Sequence, residues 1–449
     1  MLNNGGGDGH RLIHCVFMRC KKLSRRFFCL YILRMKQSLL ITVLLATTCV
    51  TKAQSKTDAW LEQLIRQNAS LFLKDILNQP DTFHYQLIYT KIDRDKNNQP
   101  HFTNYCYRVN RNEYFNPASM VKLPTALLAL EKINTLNRYG INKNTTMLTD
   151  SAFSRQTKVK YDSSAADLLP SVAHYVKKIF LVSDNDAYNR LYEFVGQRQL
   201  NERLWQMGYT GTRITRRFVT MNEDENRHTN PIRFMQGDSL LYLQLPAYNP
   251  DPFDFHKKIG VGRAHYNRQD SLINAPMDFT THNNFPLEDM QQVLQAAMFP
   301  NAVPAQKRFN LQPDDYAFLH RYMSELPGES DFPHYDTTEF FDSYTKFFMF
   351  KAWKSKIPPY VRVFNKTGWS YGFLTDVAYI VDFNSKIEFM VSGNIYVNSD
   401  GVLNDDKYEY EETGYPFFKE IGNIIYQYEL KRKRKYVPDL SAFQFDYHH

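Results

Sequence analysis

The sequence predicts an α/β (α+β) fold, with one sheet built from both ends of the chain and mostly helical structure between its two halves. Stretches rich in β-branched and aromatic residues occur at 83–93 and 101–109, and others follow at 361–368, 373–383 and 386–397. The region between them has apolar residues at helical spacing. With 43% hydrophobic residues, the 449-residue chain is long enough for one large or two ordinary domains.

The predicted elements run in a clear order. Apolar periodicity indicates helices at 57–76, 118–136, 166–181, 184–196, 198–207, 286–298, 313–325, 337–352 and 414–430. Residues 221–232 are a polar stretch, and Pro231 at its end predicts the start of a further helix. Residues 239–285 are rich in Pro, Asn and aromatic residues and predict an insertion with short strands at 239–244 and 272–280. The basic run at 431–435 predicts a solvated tail.

The predicted domain boundaries follow from this order. Residues 1–53 form a leader with a signal peptide. An α/β subdomain takes 54–115 and 350–435, a mostly helical subdomain takes 116–349, and 436–449 form a C-terminal tail.

The formal net charge of +8 arises within residues 1–53, and the rest of the chain is electrically balanced. A neutral body gives no reason to expect nucleic acid as a partner.

The leader has the pattern of an export signal. Met35 and Lys36 precede an apolar stretch at 38–50, which is shorter than a membrane span needs. Residues 35–53 therefore predict a secretory signal peptide, and a secreted or periplasmic protein without a stable transmembrane segment after cleavage. An uncleaved anchor and lipoprotein cleavage at Cys49 are the alternatives.

Of the five cysteines, only Cys106 lies outside the leader, so the sequence predicts no disulfide within the mature chain. Cys106 stands in an aromatic, strand-like stretch with no nearby histidine, which predicts a core residue rather than a nucleophile. The 13 histidines show no spacing typical of a metal site, and no metal or other cofactor is expected.

Ser119 and Lys122 lie one turn apart at the start of a predicted helix, so their side chains share one face. A serine needs a base to become a nucleophile. Lysine can be that base if burial or a neighbouring cation lowers its pKa from about 10.4. The S-x-x-K pattern alone is weak, because Ser343 and Lys346 repeat it in a stretch that shows no other sign of catalysis.

Two further triplets strengthen the interpretation. Ser183-Asp184-Asn185 stands at the start of a helical stretch, and Lys366-Thr367-Gly368 stands at the end of a strand. Ser183 could pass on a proton, and Asn185 could hold a substrate amide. Lys366 supplies the second cation, and Gly368 permits a ligand to approach the strand closely.

In these three motifs the sequence resembles the penicillin-recognising serine hydrolases, most closely class A β-lactamases. The resemblance implies a β-lactamase/transpeptidase-like fold, with an antiparallel sheet flanked by helices and an all-helical subdomain. It implies that Ser119 is the acylated nucleophile and Lys122 its base partner, with Ser183 and Asn185 bordering the site.

The resemblance assigns substrate binding to the strand. Lys366 and Thr367 would bind the substrate carboxylate beside Gly368. The backbone N–H of Trp369 would join that of Ser119 in an oxyanion hole.

One departure concerns release of the acyl group. Class A enzymes carry an E-x-x-L-N loop whose glutamate activates the deacylating water, and no such run occurs here. Glu223, Asp224 and Glu225 are the only acids in the corresponding stretch. A solvated charge cluster before a helix is the alternative interpretation of these three acids.

The sequence therefore predicts a monomeric, exported β-lactamase-like hydrolase whose substrate is a β-lactam or a peptidoglycan-type molecule. A cell-wall D,D-peptidase or esterase is one alternative. A penicillin-binding sensor that deacylates slowly is another, and a pseudoenzyme that only binds a partner is a third.

Overall fold

A computed structural model of the chain describes residues 55–255 and 257–447. The predicted leader and signal peptide lie outside the described residues. Within the described ranges, no helix is both long and apolar enough to cross a bilayer.

The helices alternate with short strands in the middle of the chain. The α-helices are α1 (Ala59–Asn68), α2 (Leu71–Asn78), α3 (Pro80–Phe83), α4 (Lys122–Asn134), α5 (Val172–Val182), α6 (Asn185–Val195), α7 (Gln197–Gln206), α8 (Glu223–Arg227), α9 (Leu287–Met298), α10 (Pro313–Ser324) and α11 (Tyr415–Lys431). The strands are β1 (Gln86–Arg94), β2 (Pro100–Tyr107), β3 (Thr146–Thr149), β4 (Ile232–Gln236), β5 (Ser239–Gln244), β6 (Gly260–Val261), β7 (Ala264–Tyr266), β8 (Leu272–Ile273), β9 (Met277–Asp278), β10 (Val361–Ser370), β11 (Phe373–Asp382), β12 (Ile387–Tyr396) and β13 (Val402–Leu403).

The main sheet is antiparallel and has the order β10-β11-β12-β1-β2. Both ends of the described chain contribute to it, as the sequence predicts. Every residue of β11 and β12 is buried, so both faces of the sheet are covered. Because side chains alternate between faces, Val377 and Tyr379 pack in one hydrophobic core, and Ala378 and Ile380 pack in the other.

The middle region contains more than helices. β3, β4 and β5 form a small antiparallel sheet, and β4 begins where Pro231 predicted a helix. That prediction is wrong because Ile232 and Phe234 are buried at alternate positions, which is the pattern of a half-buried strand. α9 and α10, both predicted in the helical subdomain, pack on the main sheet. The predicted domain boundaries stay a prediction.

The helix predicted at 337–352 is also wrong. Only residues 347–351 form a single wide turn, and Met349 within it has a left-handed φ of 69°. The N–H groups of Phe347 and Phe348 donate to Oδ2 of the buried Asp376, at 3.1 and 3.3 Å. A buried carboxylate thus takes the backbone donors that a regular helix would use internally.

Two smaller predictions are corrected. The helix predicted at 57–76 is two helices, α1 and α2, because the Ser70 side chain accepts from the Leu73 N–H and begins a new helix. The predicted solvated tail at 431–435 is wrong for Arg432, whose Nε donates to the buried Glu429 at 2.9 Å.

Cys106 is half-buried on β2, and burial raises the pKa of its thiol to about 11.

We expect Leu127→Ala in α4 to lower the free energy of unfolding by about 2–5 kcal/mol, because Leu127 is completely buried and its truncation leaves a cavity. The matched control is Leu71→Ala, at a side chain that is 86% exposed, and we expect a change of at most about 0.5 kcal/mol there. Chemical denaturation of both variants measures the difference. Equal losses would contradict the described core.

Candidate active site

Ser119 lies in a short 3₁₀ turn, Ala118–Val121, that leads directly into α4. The Asn116 side chain connects this turn to β10. Its Oδ1 accepts from the Ala118 N–H at 3.1 Å, and its Nδ2 donates to Ser370 Oγ at 2.7 Å. Ser119 is half-buried and lines a cleft of about 1050 Å³. The unpaired N–H groups at the start of a helix favour negative charge, which suits a serine that forms an oxyanion.

Lys122 is completely buried one turn after Ser119. Its Nζ donates to the Ser183 carbonyl oxygen at 2.5 Å and to Asn185 Oδ1 at 2.7 Å, and it lies 3.3 Å from Ser183 Oγ. All three acceptors are uncharged. Burial, and secondly the positive charge of Lys366, lower the pKa of Lys122 well below its ordinary value. A neutral amine, able to accept a proton, is therefore favoured here.

Ser183 joins the two lysines. It occupies a left-handed position, φ 62°, between the end of α5 and the start of α6. In that conformation its carbonyl oxygen points at Lys122, while its Oγ accepts from Lys366 Nζ at 2.8 Å. The next residue, Asp184, accepts from the Ala187 N–H at 2.7 Å and so begins α6. The triplet is thus a helix-to-helix turn that presents two oxygens to two buried amines.

Lys366 reaches this turn from β10. Besides Ser183, its Nζ donates to the Thr367 carbonyl oxygen at 2.6 Å. Burial lowers the pKa of Lys366 to about 7, against the opposing charge of Asp376. The hydroxyl of Thr367 is buried, has no hydrogen-bond partner within 55–255 and 257–447, and does not line the cleft.

Gly368 lets β10 touch the turn that carries Ser119. A Cβ at this position would lie 2.6 Å from the Pro117 carbonyl oxygen and 2.9 Å from the Ser119 nitrogen, both closer than atoms can pack. Glycine is therefore required. The following residue, Trp369, lines the cleft, and its ring packs against Tyr344 with centroids 5.9 Å apart.

The structure thus brings together the residues of all three predicted motifs. Ser119, Ser183, Asn185 and Trp369 line the cleft, and the two lysines lie directly behind that lining.

The three acids suggested as deacylation bases are placed elsewhere. Glu223, Asp224 and Glu225 form α8 and are absent from the cleft lining. Glu225 accepts from the Asn222 N–H at 2.8 Å and from Ser154 Oγ at 3.0 Å, so its carboxylate caps α8. Glu225 is buried at the start of α8, so a solvated cluster does not describe it, and the deacylation role of the three acids stays a prediction.

Sequence reasoning missed Phe218. Its ring centroid lies 5.1 Å from Lys122 Nζ, so an aromatic face covers the amine on the side of the cleft. The Phe218 N–H donates to Asn189 Oδ1 at 2.8 Å, which fixes the segment before α8 against α6. A single aromatic residue in a polar stretch is not part of a recognisable sequence motif. Its role at the site is therefore visible only from its contact with Lys122 in the folded structure.

The predicted insertion at 239–285 forms the outer part of the cleft. β7 pairs with β13 in parallel, and β7 residues His265 and Tyr266 line the cleft together with Asn404, just after β13. Among the described residues, no cluster of His, Cys, Asp and Glu could hold a metal ion.

Several solved structures are similar to this chain. Similar solved structures include a β-lactamase from Sphaerobacter thermophilus, with 13% identity, TM-score 0.40 and coverage of 76% of this chain and 91% of that chain. A β-lactamase from Streptosporangium roseum has 14% identity, TM-score 0.44 and coverage of 79% and 97%. An acyl-enzyme complex of a PBP-A mutant with penicillin G has 12% identity, TM-score 0.44 and coverage of 83% and 98%.

A search of curated proteins finds no match. Residues 72–240 match the model of the β-lactamase enzyme family, a range that includes the motifs at Ser119 and Ser183. The match confirms the resemblance that the motifs predict, over residues 72–240.

Proposed function

We propose that the protein is an exported serine hydrolase, related to class A β-lactamases, that opens an amide or ester through an acyl-Ser119 intermediate. One observation carries the proposal: Lys122 is buried against neutral oxygens, one turn from Ser119 and beside a second buried lysine. Burial also lowers the pKa of Lys132 and Lys346, and what distinguishes Lys122 is its position beside the cleft residues Ser183 and Asn185. Export rests on the signal-like pattern of residues 35–53.

The residues divide the reaction as follows. Neutral Lys122 Nζ accepts the Ser119 hydroxyl proton as Oγ attacks the substrate carbonyl carbon. The N–H groups of Ser119 and Trp369 bind the negative oxygen. The C–N or C–O bond then breaks, and the proton passes from Lys122 through Ser183 Oγ to the leaving group. The resemblance assigns binding of the substrate carboxylate to Lys366, which reaches the cleft residue Ser183, and to Thr367 beside it.

A β-lactam is the substrate class that the family match supports for acylation. Slow deacylation is favoured by the site itself, because Phe218 faces Lys122 and none of Glu223, Asp224 and Glu225 lines the cleft. A D,D-peptidase or a slowly deacylating penicillin-binding protein is therefore the second candidate function.

We expect intact-mass spectrometry of the protein with benzylpenicillin to show a one-to-one adduct that persists after the free drug is removed. The reason is that the three candidate bases, Glu223, Asp224 and Glu225, do not line the cleft. An adduct that disappears as the drug is consumed would instead show efficient hydrolysis, and a search for the base would follow.

Ser119→Ala should abolish this adduct, since it removes the nucleophilic oxygen. The matched control is Ser343→Ala, at the serine of the second S-x-x-K pattern, which does not line the cleft. We expect the control to be labelled as the unchanged protein is. Labelling that survives Ser119→Ala would show that another residue is acylated.

The acylation rate should rise with pH as Lys122 loses its proton and fall as Lys366, with its pKa near 7, loses the charge that binds the substrate carboxylate. Lys366⁺ lowers the pKa of Lys122, so Lys366→Met should raise that pKa and move the rising limb to higher pH. Stopped-flow acylation between pH 5 and 10 measures both limbs.

The control for this shift is Lys132→Met. Lys132 is another lysine of α4, with its pKa lowered to about 8 by burial, but it bonds to the Val195 carbonyl oxygen at 3.3 Å, away from the cleft. Its replacement should leave the midpoint unchanged. A rising limb that stays in place in Lys366→Met would refute the coupling of the two amines.

A further inference from the structure

Arg216 lies between α7 and α8 and lines the same cleft as Ser119. Its backbone is fixed on both sides. The Tyr188 hydroxyl donates to the Arg216 carbonyl oxygen at 2.9 Å, and the Arg216 N–H donates to Asn283 Oδ1 at 3.2 Å. The side chain is half-buried. The residue is therefore held at a defined place in the wall of the cleft.

Within residues 55–255 and 257–447, the guanidinium of Arg216 has no ion pair and no hydrogen bond. Its neighbour Arg217 shows the contrast, because Arg217 Nε donates to the buried Glu193 at 3.0 Å. A guanidinium presents five N–H donors in a planar fork, and partial burial without an anion is unfavourable. The free fork matches the geometry of a carboxylate.

The carboxylates of the cleft lining are already engaged. Asp184 accepts from the Ala187 N–H at 2.7 Å, and the exposed Asp278 accepts from the Thr280 N–H at 2.8 Å. They do not form an ion pair with Arg216. The fork of Arg216 is therefore available to an anionic group of a ligand in the cleft.

His282 lies near Arg216 in the same wall. Burial, and then the positive charge of Arg216, lower the pKa of His282 to about 3. The imidazole is therefore neutral at physiological pH, and the charge of this part of the wall belongs to Arg216. Arg268 also lines the cleft, but it is exposed on the insertion.

The cleft has room for a ligand that reaches Arg216 as well as Ser119. Its volume of about 1050 Å³ is slightly larger than the ~300–1,000 Å³ typical of small-molecule sites. His265 and Tyr266 of β7 line this space together with Asn404, Ser119 and Ser183.

We propose that Arg216 binds a second carboxylate of the acyl donor, so that the preferred substrates carry two carboxylates, one at Lys366 and Thr367 and one at Arg216. This inference rests on the proposed function, since the same cleft holds the acylated Ser119. The class includes side-chain-carboxylated β-lactams and acidic peptides that end in a D-amino acid.

The test compares benzylpenicillin with α-carboxybenzylpenicillin, which differ by one side-chain carboxylate. We expect the second-order rate constant for acylation of Ser119 to favour the dicarboxylate by roughly tenfold or more, the size of one charge-assisted hydrogen-bonded pair. Arg216→Gln should remove that preference, and Arg216→Lys should restore part of it because the charge returns without the fork. Thermal unfolding of each variant confirms that it folds.

The matched control is Arg198→Gln, a surface arginine paired with Glu202 outside the cleft, which should keep the full preference. Arg268→Gln tests the competing cation. If the preference survives Arg216→Gln, or is lost only in Arg268→Gln, the inference is overturned.

Failure of the proposed function has a different signature. If neither penicillin forms an adduct with Ser119, acylation of β-lactams is refuted. Calorimetric binding of the same two compounds to the unchanged protein and to Arg216→Gln then decides the inference alone. Tighter binding of the dicarboxylate that is lost in the variant supports it, and equal affinities in both proteins overturn it.

Discussion

The site depends on two lysine amines that are buried around one serine. Lys122 and Lys366 both contact Ser183, and within the described residues neither amine has a carboxylate in hydrogen-bond contact. Burying two like charges is unfavourable, so the fold favours the loss of a proton from one of them. Three features hold the two amines close to the Ser183 side chain and away from solvent. They are the left-handed turn at Ser183, the start of α4 and the glycine of β10.

The main sheet supplies the rigidity that such an arrangement needs. On β10 itself, Asn365 donates to the buried Asp376 at 2.9 Å and accepts from Lys346 Nζ at 2.8 Å. Burial raises the pKa of Asp376 to about 7. The same carboxylate organises the backbone of Phe347 and Phe348, so a single buried acid fixes the strand that carries Lys366 and the segment packed against it.

The sequence predicted those helices and strands whose formation depends on the spacing of hydrophobic residues along the chain. The long strands β10 to β12 and the helices of α9 to α11 have clear periodicity, and the three motifs identified the residues that meet at the cleft. The errors at Pro231 and at 57–76 came from local signals, the alternation in β4 and the Ser70 cap, whereas the others came from distant partners. Nothing near 337–352 reveals that Asp376 takes its N–H groups, and nothing near Phe218 or Arg216 reveals that they face the cleft. Such contacts depend on tertiary packing rather than on neighbours in sequence.

The pairing of β7 with β13 has a consequence for how the protein can diverge. These strands join two stretches about 140 positions apart, and each is only two or three residues long. The acylation residues stand in the turn before α4, on α4, between α5 and α6, and on β10, and they take no part in that pairing. Substitutions or insertions in the loops around β7 and β13 can therefore change the shape of the cleft without moving the reacting groups. Homologous proteins could in this way acquire different substrate specificities while keeping the same catalytic residues.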